Sequence, residues 1–115
     1  MRYLIALFVF LSLPAFAAGA RYFSALPDLP LPPALTEDAG SAVRFDQPEG
    51  RVIVLQATGS QQPVEINEFY QRTLPALGWK SEGDNRFTRG EETLTLDIKP
   101  LDTTHNRLNI LVKPR

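Results

Sequence analysis

The sequence predicts an α+β domain of two layers, a meandering antiparallel sheet of four to six strands with one amphipathic helix on one face. Two patterns carry this expectation. Ile66, Phe69, Tyr70, Thr73, Leu74 and Leu77 recur at the three-and-four spacing of a single helical face. Beyond Gly78 the period changes to two: Leu94, Leu96 and Ile98 alternate with Thr93, Thr95, Asp97 and Lys99, and Leu108, Ile110 and Val112 repeat the alternation. Each such strand has one apolar and one largely polar face, as in an antiparallel sheet covered on one side.

At the start of the chain, Met1-Arg2 gives a short positive segment and residues 3–13 form an apolar run interrupted only by Ser12. Pro14 ends the helix that such a run would form. Ala15-Phe16-Ala17 and Ala18-Gly19-Ala20 both fit the small-x-small pattern of a signal-peptidase site, so residues 1–20 read as a signal peptide cleaved after Ala17 or Ala20. The mature chain is then periplasmic or secreted. Pro14 and Gly19 break the stretch short of a membrane span, and no stable membrane anchor is expected after cleavage.

Residues 21–41 place Pro27, Pro30, Pro32 and Pro33 among Leu26, Leu29, Leu31 and Leu35, a composition that favours extended polyproline II over helix. A solvated linker has little use for four leucines, so this arm is expected to dock Leu29, Leu31 and Leu35 on the sheet. The domain proper is residues 42–115. A short strand over 42–46 leads through the turn Gln47-Pro48-Glu49-Gly50 into a strand over 51–58, whose consecutive Val52, Ile53, Val54 and Leu55 predict cover on both faces. With the helix on one face, the arm is the nearest cover for the other.

Gly59-Ser60 ends that strand, and Pro63 suits the first turn of a helix over 63–77, where its missing N–H has no partner to lose. Pro75 removes the hydrogen bond to Gln71 and should loosen the last turn, and Gly78 can take the positive φ of a C-cap. Residues 79–82, 86–89, 92–100 and 107–113 read as strands, with turns at 83–85 and 89–91 and a longer loop at 102–106.

Three stretches carry a resemblance: Leu29-Pro-Leu-Pro-Pro-Ala-Leu-Thr-Glu37, Phe45-Asp46 with Glu49-Gly-Arg-Val52, and Phe69-Tyr-Gln-Arg-Thr-Leu-Pro-Ala-Leu-Gly-Trp79. The chain resembles a set of short exported bacterial proteins of alphaproteobacterial type, with a proline-rich arm and an FY-x(3)-LP-x-LGW helix end. The resemblance implies the same architecture and an envelope location. It brings no activity and no catalytic residue.

Of the chain's 12 basic residues only Arg2 lies in the leader, so the mature chain sets 11 against 13 acids, a formal charge of −2. With no Lys/Arg run either, nucleic acid is not an expected partner. Cysteine is absent, which removes disulfides, a thiol nucleophile and a lipidated cysteine together.

His105 is the one histidine, and Asp102 and His105 are two potential metal ligands without a third, so no metal and no cofactor is expected. No serine sits in a nucleophile-elbow context, and Ser60 reads as a turn or cap residue. Glu91 and Glu92, adjacent at a strand start, should point to opposite faces rather than converge on one bond. Phe69 and Trp79 are expected in the core and Tyr70 at its rim.

The expected function is a non-enzymatic binding or interaction domain whose partner is another envelope protein. Its contact surface is the arm or the sheet face away from the helix, with Tyr70, Thr93, Thr95, Asp97 and Lys99 as candidate binding residues. Two alternatives stand beside it: a low-specificity enzyme or metal site at Asp102 and His105, with Glu91 as a further group, and an accessory structural protein that oligomerises by exchanging its arm. Mass spectrometry of the exported protein should find an N-terminus at Ala18 or Arg21; a chain that still begins at Met1 refutes the leader.

Overall fold

The computed structural model describes residues 21–115, and the expected leader with Ala17 and Ala20 lies outside the described residues. In chain order the elements are β1 (Tyr22–Phe23), β2 (Leu26–Pro30), β3 (Leu35–Glu37), β4 (Val43–Gln47), β5 (Gly50–Gly59), the helix α1 (Pro63–Thr73), β6 (Lys80–Ser81), β7 (Arg86–Arg89), β8 (Glu92–Pro100) and β9 (Asn106–Pro114). Strands β1 and β2 form a separate two-stranded hairpin. The remaining seven strands make one antiparallel sheet in the order β3-β5-β9-β8-β7-β6, with β4 also paired to β5. This is a mostly-sheet α+β fold with a meandering antiparallel sheet and one helix among the described residues. The strand beyond the expected six is β3, which the arm contributes.

Residues directly opposite one another in an antiparallel ladder share a face. Ile53, Leu55 and Ala57 of β5 lie opposite Val112, Ile110 and Leu108 of β9, and these lie opposite Leu94, Leu96 and Ile98 of β8. On this one face α1 and its C-cap residue set Ile66, Tyr70 and Leu74 at a spacing of four, all fully buried. Phe23, Leu26, Leu29, Leu31 and Leu35 of the arm belong to the same cluster.

The arm therefore docks, as its leucines predicted, but on the same side of the sheet as the helix and not on the opposite side. Val52 and Val54 are accordingly half-buried, and the expectation that both faces of β5 are covered is corrected. Length is the reason. The 11 residues of α1 rise only about 16 Å, whereas the 10 residues of β5 extend about 33 Å. One helix leaves roughly half of the apolar face bare, and the arm fills the remainder.

The arm is not simply polyproline II. Its hairpin places Tyr22 opposite Pro30 and Phe23 opposite Leu26, and Leu31 N donates to Arg21 O at 2.9 Å. Prolines sit there without penalty because a two-stranded sheet has only edge strands. Past the hairpin the carbonyls need donors from elsewhere, and Arg21 Nη2 supplies them to Pro32 O at 3.0 Å, Pro33 O at 2.7 Å and Leu35 O.

The α-helical pattern stops at Thr73, short of the predicted 77, and Pro75–Leu77 continue as a 3-10 turn. Pro75 is the cause, since it has no N–H to donate to Gln71. Gly78 closes the segment at φ 92°, the left-handed C-cap expected of it. At the other end the Gln62 N–H donates to Glu65 Oε1 at 2.9 Å, and Pro63 opens the first turn.

Two aromatics exchange their expected places. Tyr70 is fully buried, with its hydroxyl donating to Pro30 O at 2.7 Å, while Phe69 is only partly buried. Trp79 is in the core as predicted, with the Arg89 guanidinium 4.3 Å from its ring centroid.

Strand β5 carries the closest approach of the arm. A Cβ on Gly59 would lie 2.1 Å from Ala34 O and 2.8 Å from Leu35 Cδ2, so only glycine lets the two backbones meet. Gly59→Ala should lower stability by about 1–3 kcal/mol, the usual cost of forcing extra volume into a packed seam. Denaturant melts check this: with a free arm the same change is neutral, and an unchanged midpoint would refute the docking.

Candidate binding groove

Docking the arm beside α1 produces a groove of about 350 Å³ lined by Tyr22, Leu31 and Pro33 on the arm and by Phe69, Thr73 and Leu77 on the helical side. Each side is shaped by a feature already described. Tyr22 projects from the short β1, half exposed, because its neighbour Phe23 takes the inward place. Phe69 is held at the edge of the helix by Tyr70, against which it packs edge-on with centroids 5.0 Å apart. Leu77 is turned outward by the 3-10 turn that Pro75 imposes. A concave apolar lining with few polar groups is the usual chemistry of a binding site. Arg21 also borders the groove, but its Nη2 is engaged by the arm carbonyls.

Deep to the groove, burial raises the Tyr70 phenol well above its ordinary pKa of 10.0, so the hydroxyl stays protonated and keeps donating to Pro30 O. Tyr70 is thus a strut between helix and arm, not an accessible rim residue.

The other candidate residues separate. Thr93, Thr95, Asp97 and Lys99 do share the sheet face away from the helix, as alternation requires. Thr93 is nevertheless buried, with its hydroxyl at 3.4 Å from Lys113 O. Thr95 is half-buried, and exposed Asp97 and Lys99 pair with each other at 3.3 Å. This face is also less polar than β8 alone predicts, because Val43, Val54 and Leu111 continue the row of Thr95. Glu91 stays exposed at its turn, and Glu92 forms a two-pronged pair with Arg51 at 2.7 and 3.1 Å.

Asp102, Thr104 and His105 come together in an exposed loop. Asp102 Oδ1 accepts from Thr104 N at 2.8 Å, Thr104 Oγ1 at 3.0 Å and His105 N at 2.8 Å. His105 Nδ1 lies 2.8 Å from Thr104 Oγ1 and 3.3 Å from Asp102 Oδ1. A hydroxyl–imidazole–carboxylate relay needs the hydroxyl on one ring nitrogen and the carboxylate on the other. Here both crowd Nδ1, and the carboxylate is spent on holding the turn. Among the described residues no group of three or more His, Cys, Asp or Glu could hold a metal ion.

No family model matches the chain, and no curated protein or solved structure is significantly similar to it. The functional reading therefore rests on the groove and its neighbours. Sequence reasoning named the arm and the helix separately. It missed that Tyr22 and Leu77 line one groove, for which the only local signal was Pro75.

Hydrogen bonds from Thr104, first backbone and then side chain, and from His105 hold the Asp102 carboxyl down from 3.8 to about 2. A depressed carboxyl pKa stabilises the loop fully above the unfolded value near 3.8 and loses that contribution as pH falls through about 2. Carboxyl carbon shifts should titrate for Asp102 with a midpoint near pH 2; a midpoint near 3.8 contradicts the turn.

Proposed function

We propose that this protein is a non-enzymatic binding domain of the bacterial envelope, which takes an apolar segment of another envelope protein in the groove between its arm and its helix. One observation carries the reading: Tyr22, Phe69 and Leu77 offer accessible apolar surface in a concavity whose lining residue Leu31 is fixed in the core and whose Phe69 is braced from behind by buried Tyr70. Pre-set walls reduce the ordering cost of binding, and apolar surface removed from water contributes about 25 cal/mol per Å². The leader pattern of residues 1–20 and the resemblance to short exported bacterial proteins favour the envelope as the compartment. Among the described residues no helix is long and apolar enough to cross a membrane.

A photo-crosslinking residue at Tyr22, in the chain expressed with its own leader, should give one discrete adduct with another envelope protein. Leu77→Glu should abolish the adduct while shifting stability by no more than about 0.5 kcal/mol, as expected for an exposed position. The reading fails if position 22 and a control at exposed Asp84 label the same proteins, or if Leu77→Glu leaves the adduct intact.

A further inference from the structure

The free edge of the sheet has a property that the groove does not share. β4 pairs with β5 along one side and with no other strand among the described residues, and every residue of it is exposed. Val43 and Phe45, each 47% exposed, project on the open face of the sheet, and Arg44 and Asp46 project on the other. A long apolar edge is normally blunted, because its unpaired N–H and C=O groups are a template for another strand. Arg44 and Asp46 could be such blunting charges. Their opposite signs, two residues apart, instead make the strand complementary to itself.

The backbone parity agrees. The hairpin closes with Gln47 opposite Gly50 across a two-residue turn, and such a closing pair exchanges both of its hydrogen bonds. Gln47, Phe45 and Val43 thus direct their N–H and C=O toward β5, leaving those of Arg44 and Asp46 to face outward. A second β4 laid antiparallel with Phe45 opposite Phe45 brings Arg44 opposite Asp46 twice, so that the outward backbone groups and the charges match in one register. Shifting the register by two residues puts Arg44 opposite Arg44 or Asp46 opposite Asp46, which like-charge repulsion disfavours. In the matched register Val43 of each copy faces Gln47 of the other, next to the shallow cavity that Phe45, Val52 and Pro114 line.

We propose that β4 is the interface of a two-fold symmetric dimer of this chain, formed by antiparallel edge pairing about Phe45. The symmetry is isologous, with the same residues contributed by both copies, and it pairs the edge of β4 that has no partner strand among the described residues. The surface shares no residue with the groove, so either site can fail without the other.

Sedimentation of the protein as the cell processes it should give twice the chain mass. Arg44→Asp alone sets carboxylate against carboxylate, and Asp46→Arg alone sets guanidinium against guanidinium; each variant should sediment as a monomer. An equimolar mixture of the two restores both opposite-charge pairs and should return to the dimer mass. In the wild-type protein the Arg44 and Asp46 amides should exchange more slowly as concentration rises, a reading that needs no variant to fold. A wild-type monomer, a dimer that both single variants retain, a mixture that stays monomeric, or unprotected Arg44 and Asp46 amides would each overturn the proposal.

Discussion

The architecture depends on a mismatch of lengths. A three-turn helix is set on a sheet whose strand β5 reaches about twice as far, so the helix alone is too short to cover the apolar stripe of that face. Without disulfides to compensate, a domain of this size depends on covering that stripe completely. The proline-rich segment is the second cover. Leu26, Leu29, Leu31 and Leu35 serve the core as much as Ile66 or Leu74 does, and the segment is a structural layer in its own right.

Holding an irregular segment against a sheet raises a polar problem, which the chain meets with a few specific contacts. The carbonyls of Pro32, Pro33 and Leu35 converge on Arg21, and that of Pro30 on Tyr70. At Gly59 the absence of a side chain lets the arm backbone approach β5 closely enough for β3 to join the sheet. Near Trp79, Arg89 stacks on the indole ring and lies 3.9 Å from Glu92, which also binds Arg51. The two candidate surfaces follow from the same arrangement. The groove is the seam between two covers that do not meet at the surface, and the open face and free β4 edge are what remains when both covers lie on one side.

The periodic elements were legible in the sequence because their signal is local. The twofold alternation of β8 and β9, the turns beside Gly83 and Gly90, and the stop at Gly78 all follow from residues within a few positions of one another. Phe69 and Tyr70 were not separable in the same way. Neighbours on a helix lie about 100° apart, and both fall within a broad apolar stripe; which of them points at the sheet depends on where the helix axis rests. Thr93 is similar: its face was correctly inferred, but its burial depends on neighbouring strands.

By itself, the sequence determined the helix, the six strands from 43 onward, the cap at Gly78 and the need for the arm's leucines to find a core. Each of these follows from residue chemistry and short-range spacing. Only the tertiary structure decided that the arm shares a face with the helix, that β3 extends the sheet, that Tyr70 is inside and Phe69 at the groove, and that among the described residues the outer edge of β4 has no partner strand. Those outcomes compare areas and lengths of elements far apart in the chain, and no local pattern encodes how much of a sheet one short helix leaves bare.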